Sequence, residues 1–357
     1  MENMPQVKVL VVDDSALMRR LLKQVLQAGG FEVVAASNGE EGVDTLLREQ
    51  PDVVTLDINM PKMDGLTALS LMMAARPTPI IMLSSLTASG ALATLEALAL
   101  GAVDYIEKPG GTISLSIDDI AHTLCAKVRA AVAAKPRKSS RTLPSMSPKA
   151  VPSPHALVPK MALLPGDLRV VVIGVSTGGP RTLEDILPHL PSNFPAAVVV
   201  AQHMPAKFTL TFAQRMDRIC PMPVAEVSAV TPLQPGHVYV GQGGCDLVIE
   251  RRLGRLVAIP VSESEHHPWH PSVDRLVQTA MQCLPASHIV GVQLTGMGND
   301  GAAAMTELKK AGGRTIAEAQ ATAVVFGMPH ELIQRGGASL VLPAHSVAQQ
   351  LRSWMQV

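Results

Sequence analysis

Short aliphatic runs alternate with stretches of helical periodicity over the first 110 residues, and this alternation strongly limits the possible folds. The runs are Val7–Val12, Val33–Ala36, Val53–Leu56, Ile80–Leu83 and Val103–Ile106. Three of them are nearly continuous Val, Ile and Leu, which is typical of strands covered on both faces. After the first run, Leu17, Leu21 and Val25 recur every four residues and therefore share one helix face. The pattern predicts a flavodoxin-like parallel sheet with strand order 2-1-3-4-5.

A second α/β pattern follows a segment of very different composition. Residues 135–166 are rich in Pro and Ser and contain basic residues but no acidic one. Such a segment cannot bury enough apolar surface to fold, so it predicts an extended linker. Its basic charge serves solubility or docks an acidic partner. Beyond it, strands are predicted at Val170–Ile173, Ala197–Ala201 and Ile289–Leu294, and a closing helix at Ser346–Met355. The expected domains are 1–134 and 167–357, the second also doubly wound α/β.

Composition excludes several classes of protein. The 357 residues carry a formal net charge of +0, so no overall field attracts nucleic acid. Aromatic residues make up only 3%, too few for base-stacking surfaces. The four cysteines form no C-x-x-C pair, which favours free thiols in a reducing compartment. Neither a signal peptide nor an apolar run of about 20 residues is present, so we expect a cytoplasmic protein that does not insert into membranes.

Three acidic residues follow strands of the first predicted sheet. Asp13 and Asp14 come directly after the first strand, and Asp57 ends the third. These strands are neighbours in the predicted order, so their carboxyl ends meet at one crevice. The carboxylates would repel one another without a hard cation, and Mg²⁺ suits such a site. Asp57 could then attack phosphorus and form an acyl phosphate.

Ser84 and Lys108 follow the fourth and fifth predicted strands at the same edge. Their side chains could hydrogen-bond and pair with a phosphoryl group on the third strand. Each has an alternative on its own, because a Ser after a strand often caps a helix and a Lys is often merely solvated.

Four segments carry a family resemblance: VVDDS, LDINMPKMDG, IIMLSS and DYIEKP. They resemble the signature segments of response-regulator receiver domains, and the likeness covers about residues 5–130. The resemblance implies phosphorylation of Asp57 by a partner histidine kinase, with Mg²⁺ held by Asp13, Asp14 and Asp57. It also implies that Ser84 and Lys108 sense the phosphate.

Two further positions are implied by the same resemblance. Tyr105 stands where the family has its aromatic switch residue. The Lys108–Pro109 bond is a candidate cis peptide, which proline tolerates at modest cost.

The segment VVVIGVSTGGP begins the second domain's candidate site. A strand runs into Gly174, Ser176 and Gly178, which fits the G-x-S-x-G turn that exposes a nucleophilic serine before a helix. The free N–H groups of that helix could stabilise an oxyanion. A glycine-rich phosphate loop is the rival interpretation, although no G-K-[ST] follows and a Walker A loop is therefore excluded.

A base and its orienting acid are predicted at the ends of two other strands. His203 follows AAVVVAQ, and Asp300 lies just beyond IVGVQLTGMGN. With Ser176 they predict a nucleophile, a general base and an orienting carboxylate at one sheet edge. The order Ser-His-Asp differs from that of α/β-hydrolases and favours a convergent triad. Alternatively His203 is a structural hydrogen bonder, and Asp300 caps a helix that begins near Gly301.

Two other patterns suggest binding sites. Residues 296–301 satisfy G-x-G-x-x-G, and Glu318 falls near the spacing of a ribose-binding acid, so a dinucleotide site stays open as an alternative. His266, His267 and His270 suggest a metal cluster, but Pro268 and Pro271 disrupt the segment, and a polar loop near the site rim is favoured.

The second domain resembles the chemotaxis protein-glutamate methylesterase family, CheB. The matching segments, over about 168–345, are IGVSTGGP, AQHMPAKFT, PGHVYVG, HPSVD, LTGMGNDGA and FGMPHEL. The resemblance implies ester hydrolysis and glutamine deamidation on chemoreceptor cytoplasmic helices, with the triad Ser176, His203 and Asp300. It implies Thr177 and Met297 at the oxyanion region, and no cofactor beyond the receiver's Mg²⁺.

One local departure from the family is visible. Residues 316–321 read IAEAQA where the family usually reads close to IAQDEA, which we expect to affect rim shape or receptor choice.

Two other classes of function compete with the enzyme. A response regulator whose second domain only binds a partner stays open, and so does a DNA-binding regulator, which the neutral charge disfavours. For the enzyme, we expect the unphosphorylated receiver to pack over the catalytic edge and phosphorylation to favour an open arrangement.

Overall fold

The computed structural model describes residues 6–85, 87–108, 117–132, 134 and 168–356. The linker expected over 135–166 and the Lys108–Pro109 bond lie outside the described residues. Within them, a cis peptide bond joins His270 to Pro271, and this bond was not predicted to be cis.

The N-terminal domain is a five-stranded parallel sheet with helices on both faces. Its strands are β1 Lys8–Val12, β2 Glu32–Ala36, β3 Val53–Asp57, β4 Ile80–Ser84 and β5 Asp104–Glu107. Its helices are α1 Ala16–Ala28, α2 Gly39–Glu49, α3 Gly65–Ala75, α4 Ala88–Leu100 and α5 Ile117–Val132. The strand order β2-β1-β3-β4-β5 confirms the prediction.

Side-chain caps fix where the first four helices of this domain begin. The caps are Ser15, Asn38, Asp64 and Thr87, each of which accepts a backbone N–H of the first turn. A capped start a few residues after each strand keeps the connections short. The carboxyl ends of the strands therefore line one open edge.

The C-terminal domain is built on a seven-stranded parallel sheet. The strands of this domain are β6 Arg169–Val175, β7 Ala196–Gln202, β8 Val224–Val227, β9 Thr231–Pro232, β10 Val238–Gly241, β11 Asp246–Arg252, β12 Arg255–Val261, β13 Ile289–Gln293, β14 Arg314–Glu318 and β15 Leu340–Leu342. The main sheet has the order β15-β14-β13-β6-β7-β10-β8. Strands β13, β6 and β7 lie side by side at its centre and are fully buried apart from Arg169.

The helices of this domain are α6 Gly179–Ile186, α7 Ala206–Ile219, α8 Val273–Cys283, α9 Ala302–Lys310, α10 Met328–Gln334 and α11 Ala344–Met355. The last begins two residues before the predicted closing helix. Among the described residues, none of the helices has both the length and the apolar character needed to cross a bilayer.

A small antiparallel sheet, β11-β12-β9, was not predicted from the sequence. Strands β11 and β12 form a hairpin whose two loop residues, Leu253 and Gly254, have φ of 49° and 75°. Hairpins of this kind normally carry Asn or Asp before the Gly. The exposed Leu253 therefore gives no turn signal, which explains why the hairpin was missed.

The two domains pack directly against each other. Helix α4 of the first lies against α6 and α7 of the second. Tyr105 in β5 contacts Phe208 in α7, with ring centroids 4.8 Å apart. Both rings are buried, so the hydrophobic core is continuous across this interface.

Candidate active site and phosphoacceptor cluster

Ser176 occupies the turn between β6 and α6. The strand ends at Val175 and the helix begins at Gly179, with Gly178 at the helix N-cap and φ of 77°. That left-handed conformation favours glycine, which allows the strand to reverse sharply into the helix. Ser176 is partly exposed there, as the G-x-S-x-G pattern predicts.

His203 and Asp300 follow the two strands that flank β6. His203 comes directly after β7, and its backbone N–H donates to the carbonyl of Val175 at 3.0 Å. Its ring Nε2 lies 2.8 Å from Oδ2 of Asp300. The three predicted triad residues thus stand at the carboxyl ends of adjacent parallel strands, where sites of this fold form.

The imidazole of His203 has one nitrogen paired and one free. Nε2 is engaged by Asp300, whereas Nδ1 is buried with no hydrogen-bond partner in the described part of the chain. No hydrogen bond of the Ser176 hydroxyl is found within the same residues. Contacts of catalytic groups often tighten only when substrate binds. The lack of a hydrogen bond between Ser176 and His203 is therefore compatible with His203 acting as a base once substrate is bound.

Asp300 is held by the N-terminus of α8. Its carboxylate accepts the backbone N–H groups of Val273 and Asp274 at 2.7 and 3.0 Å, and the hydroxyl of Ser272 at 3.1 Å. Burial alone would raise its pKa, but the hydrogen bonds from His203 and from these amides hold the pKa of Asp300 below its ordinary value. The carboxylate is thus charged at neutral pH and fixed in orientation. The helix it meets is α8, not the one that begins near Gly301.

The nucleophile turn rests on Thr295 and Gly296 from the loop after β13. Ser176 N–H donates to the carbonyl of Thr295 at 2.9 Å, and the hydroxyl of Thr295 donates to the carbonyl of Thr177 at 2.9 Å. A β-carbon on Gly296 would come 2.7 Å from Cβ of Ser176. Only glycine permits so close an approach, so Gly296, the first glycine of the G-x-G-x-x-G segment, supports the serine.

Thr177 and Met297, the two residues predicted for the oxyanion region, lie beside Ser176 and beside the Gly296 that packs on it, respectively. Within the described residues neither backbone N–H has a hydrogen-bond acceptor. Two free N–H groups beside a nucleophile can stabilise an oxyanion.

Glu318 is not available to a nucleotide ribose. It is 0% exposed, and its carboxylate accepts Thr295 N–H at 2.8 Å and the Thr322 hydroxyl at 2.9 Å. The dinucleotide alternative therefore lacks its acid. The expectation that residues 316–321 shape the rim is wrong for Glu318, which lies in the core beneath the nucleophile turn.

The predicted acidic cluster forms at the edge of the first sheet. The carboxylate oxygens of Asp13, Asp14 and Asp57 can all lie within 4.8 Å of one another. Lys108 Nζ is 2.8 Å from Asp13 and 2.7 Å from Asp57. Burial raises the pKa of Asp57, and Lys108 partly opposes that rise. Burial also opposes the charge of Lys108, but its hydrogen bonds to both aspartates raise its pKa.

Among the described residues, neither the Ser84 hydroxyl nor the Tyr105 hydroxyl forms a hydrogen bond with Asp57. The Ser84 hydroxyl is buried, donates to the carbonyl of Gly90 at 3.3 Å and accepts from the Thr94 hydroxyl at 2.6 Å. It does not cap α4, whose cap is Thr87. Tyr105 is buried at the domain interface, and that burial raises its pKa well above the ordinary value.

A polar contact across the domain interface reaches the residue next to Ser176. The hydroxyl of Thr177 donates to Oδ2 of Asp104 at 2.6 Å, and both side chains are buried. Lys127 Nζ lies 3.0 Å from the other carboxylate oxygen. A receiver residue thus contacts the neighbour of the nucleophile. This role of Asp104 was not predicted, because a single polar residue within the DYIEKP segment gives no sign of a contact with the second domain.

The histidine-rich loop contacts His203, the predicted base, and its described residues form no metal cluster. Among the described residues, the one group suited to a metal is the aspartate cluster of the first domain. His270 pairs with Asp246 instead, with Nδ1 2.9 Å from Oδ1. The ring of Trp269 stacks on His203. The loop therefore adjoins the site, as the favoured interpretation predicted.

Known proteins resemble this chain along nearly its whole length. A family model described as CheB methylesterase matches residues 171–351, and one described as response regulator receiver domain matches residues 9–116. A protein-glutamate methylesterase/protein-glutamine glutaminase of Rhodospirillum rubrum is 54% identical over 98% of this chain and 96% of its own length. One from Vibrio cholerae is 45% identical over 92% and 91%.

A solved structure adds the fold of the second domain. The crystal structure of the Thermotoga maritima CheB methylesterase catalytic domain is 39% identical, covers 52% of this chain and 98% of that chain, and has a TM-score of 0.50. The chain belongs to the CheB methylesterase family and carries the family's N-terminal response-regulator receiver domain.

Proposed function

We propose that this protein hydrolyses glutamate γ-methyl esters on the cytoplasmic helices of chemoreceptors and deamidates selected receptor glutamines. The arrangement of Ser176, His203 and Asp300 at the ends of three adjacent strands carries the proposal. The names of the full-length relatives support the same activity. Hydrolysis of an ester or of a primary amide begins in both cases with attack on a carbonyl.

The triad residues divide the chemistry between them. Ser176 attacks the ester carbonyl while His203 takes its proton and later returns it to methanol, the leaving group. Because Nε2 faces Asp300, Nδ1 is the nitrogen that carries the proton. Asp300 orients the ring and stabilises the imidazolium. Water then attacks the acyl-enzyme with His203 again as base.

Backbone groups complete the proposed site. The N–H groups of Thr177 and Met297 donate to the oxyanion of the tetrahedral intermediate. For a glutamine substrate the same steps release ammonia in place of methanol. None of these steps involves a metal or an organic cofactor.

The receiver domain receives a phosphoryl group on Asp57 in this proposal. A chemotaxis histidine kinase donates the phosphoryl group. Mg²⁺ would be held by Asp13, Asp14 and Asp57, whose three carboxylates are suitable ligands for it. A cation held by these three carboxylates would supply positive charge to the incoming phosphoryl group. Lys108, already beside Asp57, pairs with that group, and Ser84 and Tyr105 respond to it.

Phosphorylation regulates the esterase by shifting a population of domain arrangements. The contact of Asp104 with Thr177 favours the packed arrangement, in which the receiver covers the catalytic edge. A phosphoryl group on Asp57 favours the open one. The protein works in the cytoplasm, where receptor cytoplasmic helices and the kinase are accessible.

Methanol release from methylated receptor membranes tests the chemistry. Wild type should release methanol, Ser176→Ala should not, and mass spectrometry of the receptors should find glutamate where glutamine stood. A normally folded wild type that leaves both ester and amide intact across several receptor preparations would overturn the proposed substrate class.

A further inference from the structure

We infer that Trp269 is a positioning residue for the catalytic imidazole, and that the buried carboxylate of Asp246 holds it in place. The inference rests on the proposed function, since it assigns His203 the role of base. It concerns the loop of residues 264–272, which the triad mechanism does not use.

Trp269 lies against the ring of His203. The two rings are parallel within 2°, and their centroids are 5.9 Å apart. The far edge of the indole packs on the loop after β13, where Cζ2 lies 2.8 Å from the place a β-carbon on Gly298 would take. The indole is thus wedged between the base and the segment that bears the Met297 amide.

An indole face suits a base that becomes charged during the reaction. His203 is an imidazolium while Ser176 is being acylated. A tryptophan face attracts a nearby cation, and the attraction is stronger where water is excluded. Stacking also limits rotation of the imidazole ring, whose Nε2 is already held by Asp300.

Asp246 closes the loop around this tryptophan. Its carboxylate is 0% exposed and accepts four hydrogen bonds. The donors are Ser264 N–H at 3.2 Å, His270 Nδ1 at 2.9 Å, Ser272 N–H at 2.9 Å and Arg275 Nη1 at 2.6 Å. Both ends of the loop are therefore tied to one carboxylate, and Trp269 lies between them.

The anchor is charged and serves both halves of the site. Burial opposes the charge of Asp246, but the hydrogen bonds from Arg275 and His270 keep its pKa below the ordinary value. The loop that it fixes ends at Ser272, whose hydroxyl donates to Asp300. One buried carboxylate thus sets the position of the stacking partner of His203 and of a hydrogen-bond donor to Asp300.

The test compares Trp269→Phe and Trp269→Leu in the full chain, with a small phosphodonor and Mg²⁺ present. Leu keeps an apolar side chain but has no aromatic face, and Trp354→Leu in α11 is the matched control. We expect Trp269→Leu to lower kcat for methanol release about tenfold, because the His203 imidazolium loses its attraction to the indole face. KM should not change, Phe should restore most of the rate, and the control should resemble wild type.

A second readout does not depend on the receptor substrate. The rate at which a fluorophosphonate labels Ser176 should fall by the same factor in Trp269→Leu. Asp246→Asn should lower the labelling rate at least as much, measured at temperatures well below its Tm, because it also loosens Ser272. The double variant Trp269→Leu/Asp246→Asn should lose clearly less than the product of the two single losses, because part of the effect of Asp246 is transmitted through Trp269.

Two results would overturn the inference. One is a wild-type labelling rate in Trp269→Leu; the other is a loss confined to KM, which would make Trp269 a substrate contact at the rim. If wild type were labelled but released no methanol, the proposed substrate would be wrong, and the labelling rates would still decide the role of Trp269.

Discussion

Ser176 depends on glycine next to it in space as much as on its own hydroxyl. A β-carbon on Gly296 would come 2.7 Å from Ser176 Cβ and would also clash with Met328 Sδ. The methionine can move, but the serine is fixed by the hydrogen bond from its own N–H to Thr295. Any side chain at this position therefore displaces the nucleophile.

Gly296→Ala should consequently lose activity without losing the fold. A displacement of about 1 Å can cost about 100-fold in rate, so we expect a fall in kcat of that order with a Tm close to that of wild type. Methanol release and fluorophosphonate labelling measure the first, and calorimetry the second. A variant with normal kcat would show that the turn tolerates the extra carbon.

Helix α8 is the element that holds Asp300, the proposed orienting carboxylate. Ser272 caps it by accepting Arg275 N–H at 3.3 Å, and the same hydroxyl donates to Asp300 at 3.1 Å. The helix N-terminus and the site thus share one residue, and the free N–H groups of its first turn point at a carboxylate.

Ser272→Ala should lose stability and activity together. Removing an N-cap costs about 1 kcal/mol, and Asp300 loses one of its donors. Asn38→Ala, which removes the cap of α2 far from the triad, is the control. Both variants should lower the free energy of unfolding in urea by similar amounts, but only Ser272→Ala should also lower kcat. Equal kcat in the two variants would show that the Ser272 hydroxyl caps α8 without affecting catalysis.

The anchor of the 264–272 loop predicts a pH-dependent stability. The folded-state pKa of Asp246 is lower than its ordinary value of about 4. The stability that the charged carboxylate contributes is therefore fully present above the ordinary pKa, and it is lost as pH falls through the lower folded-state pKa. Asp246→Asn should therefore be less stable than wild type at neutral pH, and the difference should shrink in strong acid. Urea unfolding at several pH values measures it. A difference independent of pH would contradict a charged anchor.

The strands and the polar residues that follow them could be predicted from local sequence patterns. The aliphatic runs around Val9 and Val171, and the residues at their carboxyl ends, were recognisable because strand burial and strand ends leave short-range signals. The Asp246 anchor, the role of Ser272 and the Leu253 hairpin were not predicted. Each depends on residues distant in the chain or on a turn with an atypical residue, and neither leaves a local pattern.

At the scale of the whole molecule, the two domains form one packed body around a small number of specific contacts. Tyr105 packs on Phe208, and Asp104 accepts the hydroxyl of Thr177 beside the nucleophile. A receiver residue therefore restrains Thr177, which belongs to the proposed oxyanion region, and separation of the domains would release it.

Asp104→Ala should raise activity in the absence of phosphodonor. A hydrogen bond to a charged group contributes about 1.5–3 kcal/mol, so unstimulated methanol release should rise about tenfold or more, while stimulated release changes little. Asp44→Ala, an exposed acid on α2 of the same domain, is the control. Unstimulated release equal to that of wild type would show that this contact does not hold the packed arrangement.

The most direct test of receiver control over the esterase is methanol release measured with and without a small phosphodonor and Mg²⁺. Wild type, Asp57→Ala and Ser176→Ala should be compared on the same methylated receptor membranes. The account predicts stimulation by the donor in wild type, a low and unstimulated rate in Asp57→Ala, and no release from Ser176→Ala. Equal stimulation of wild type and Asp57→Ala would contradict it, because the donor would then act elsewhere than on Asp57.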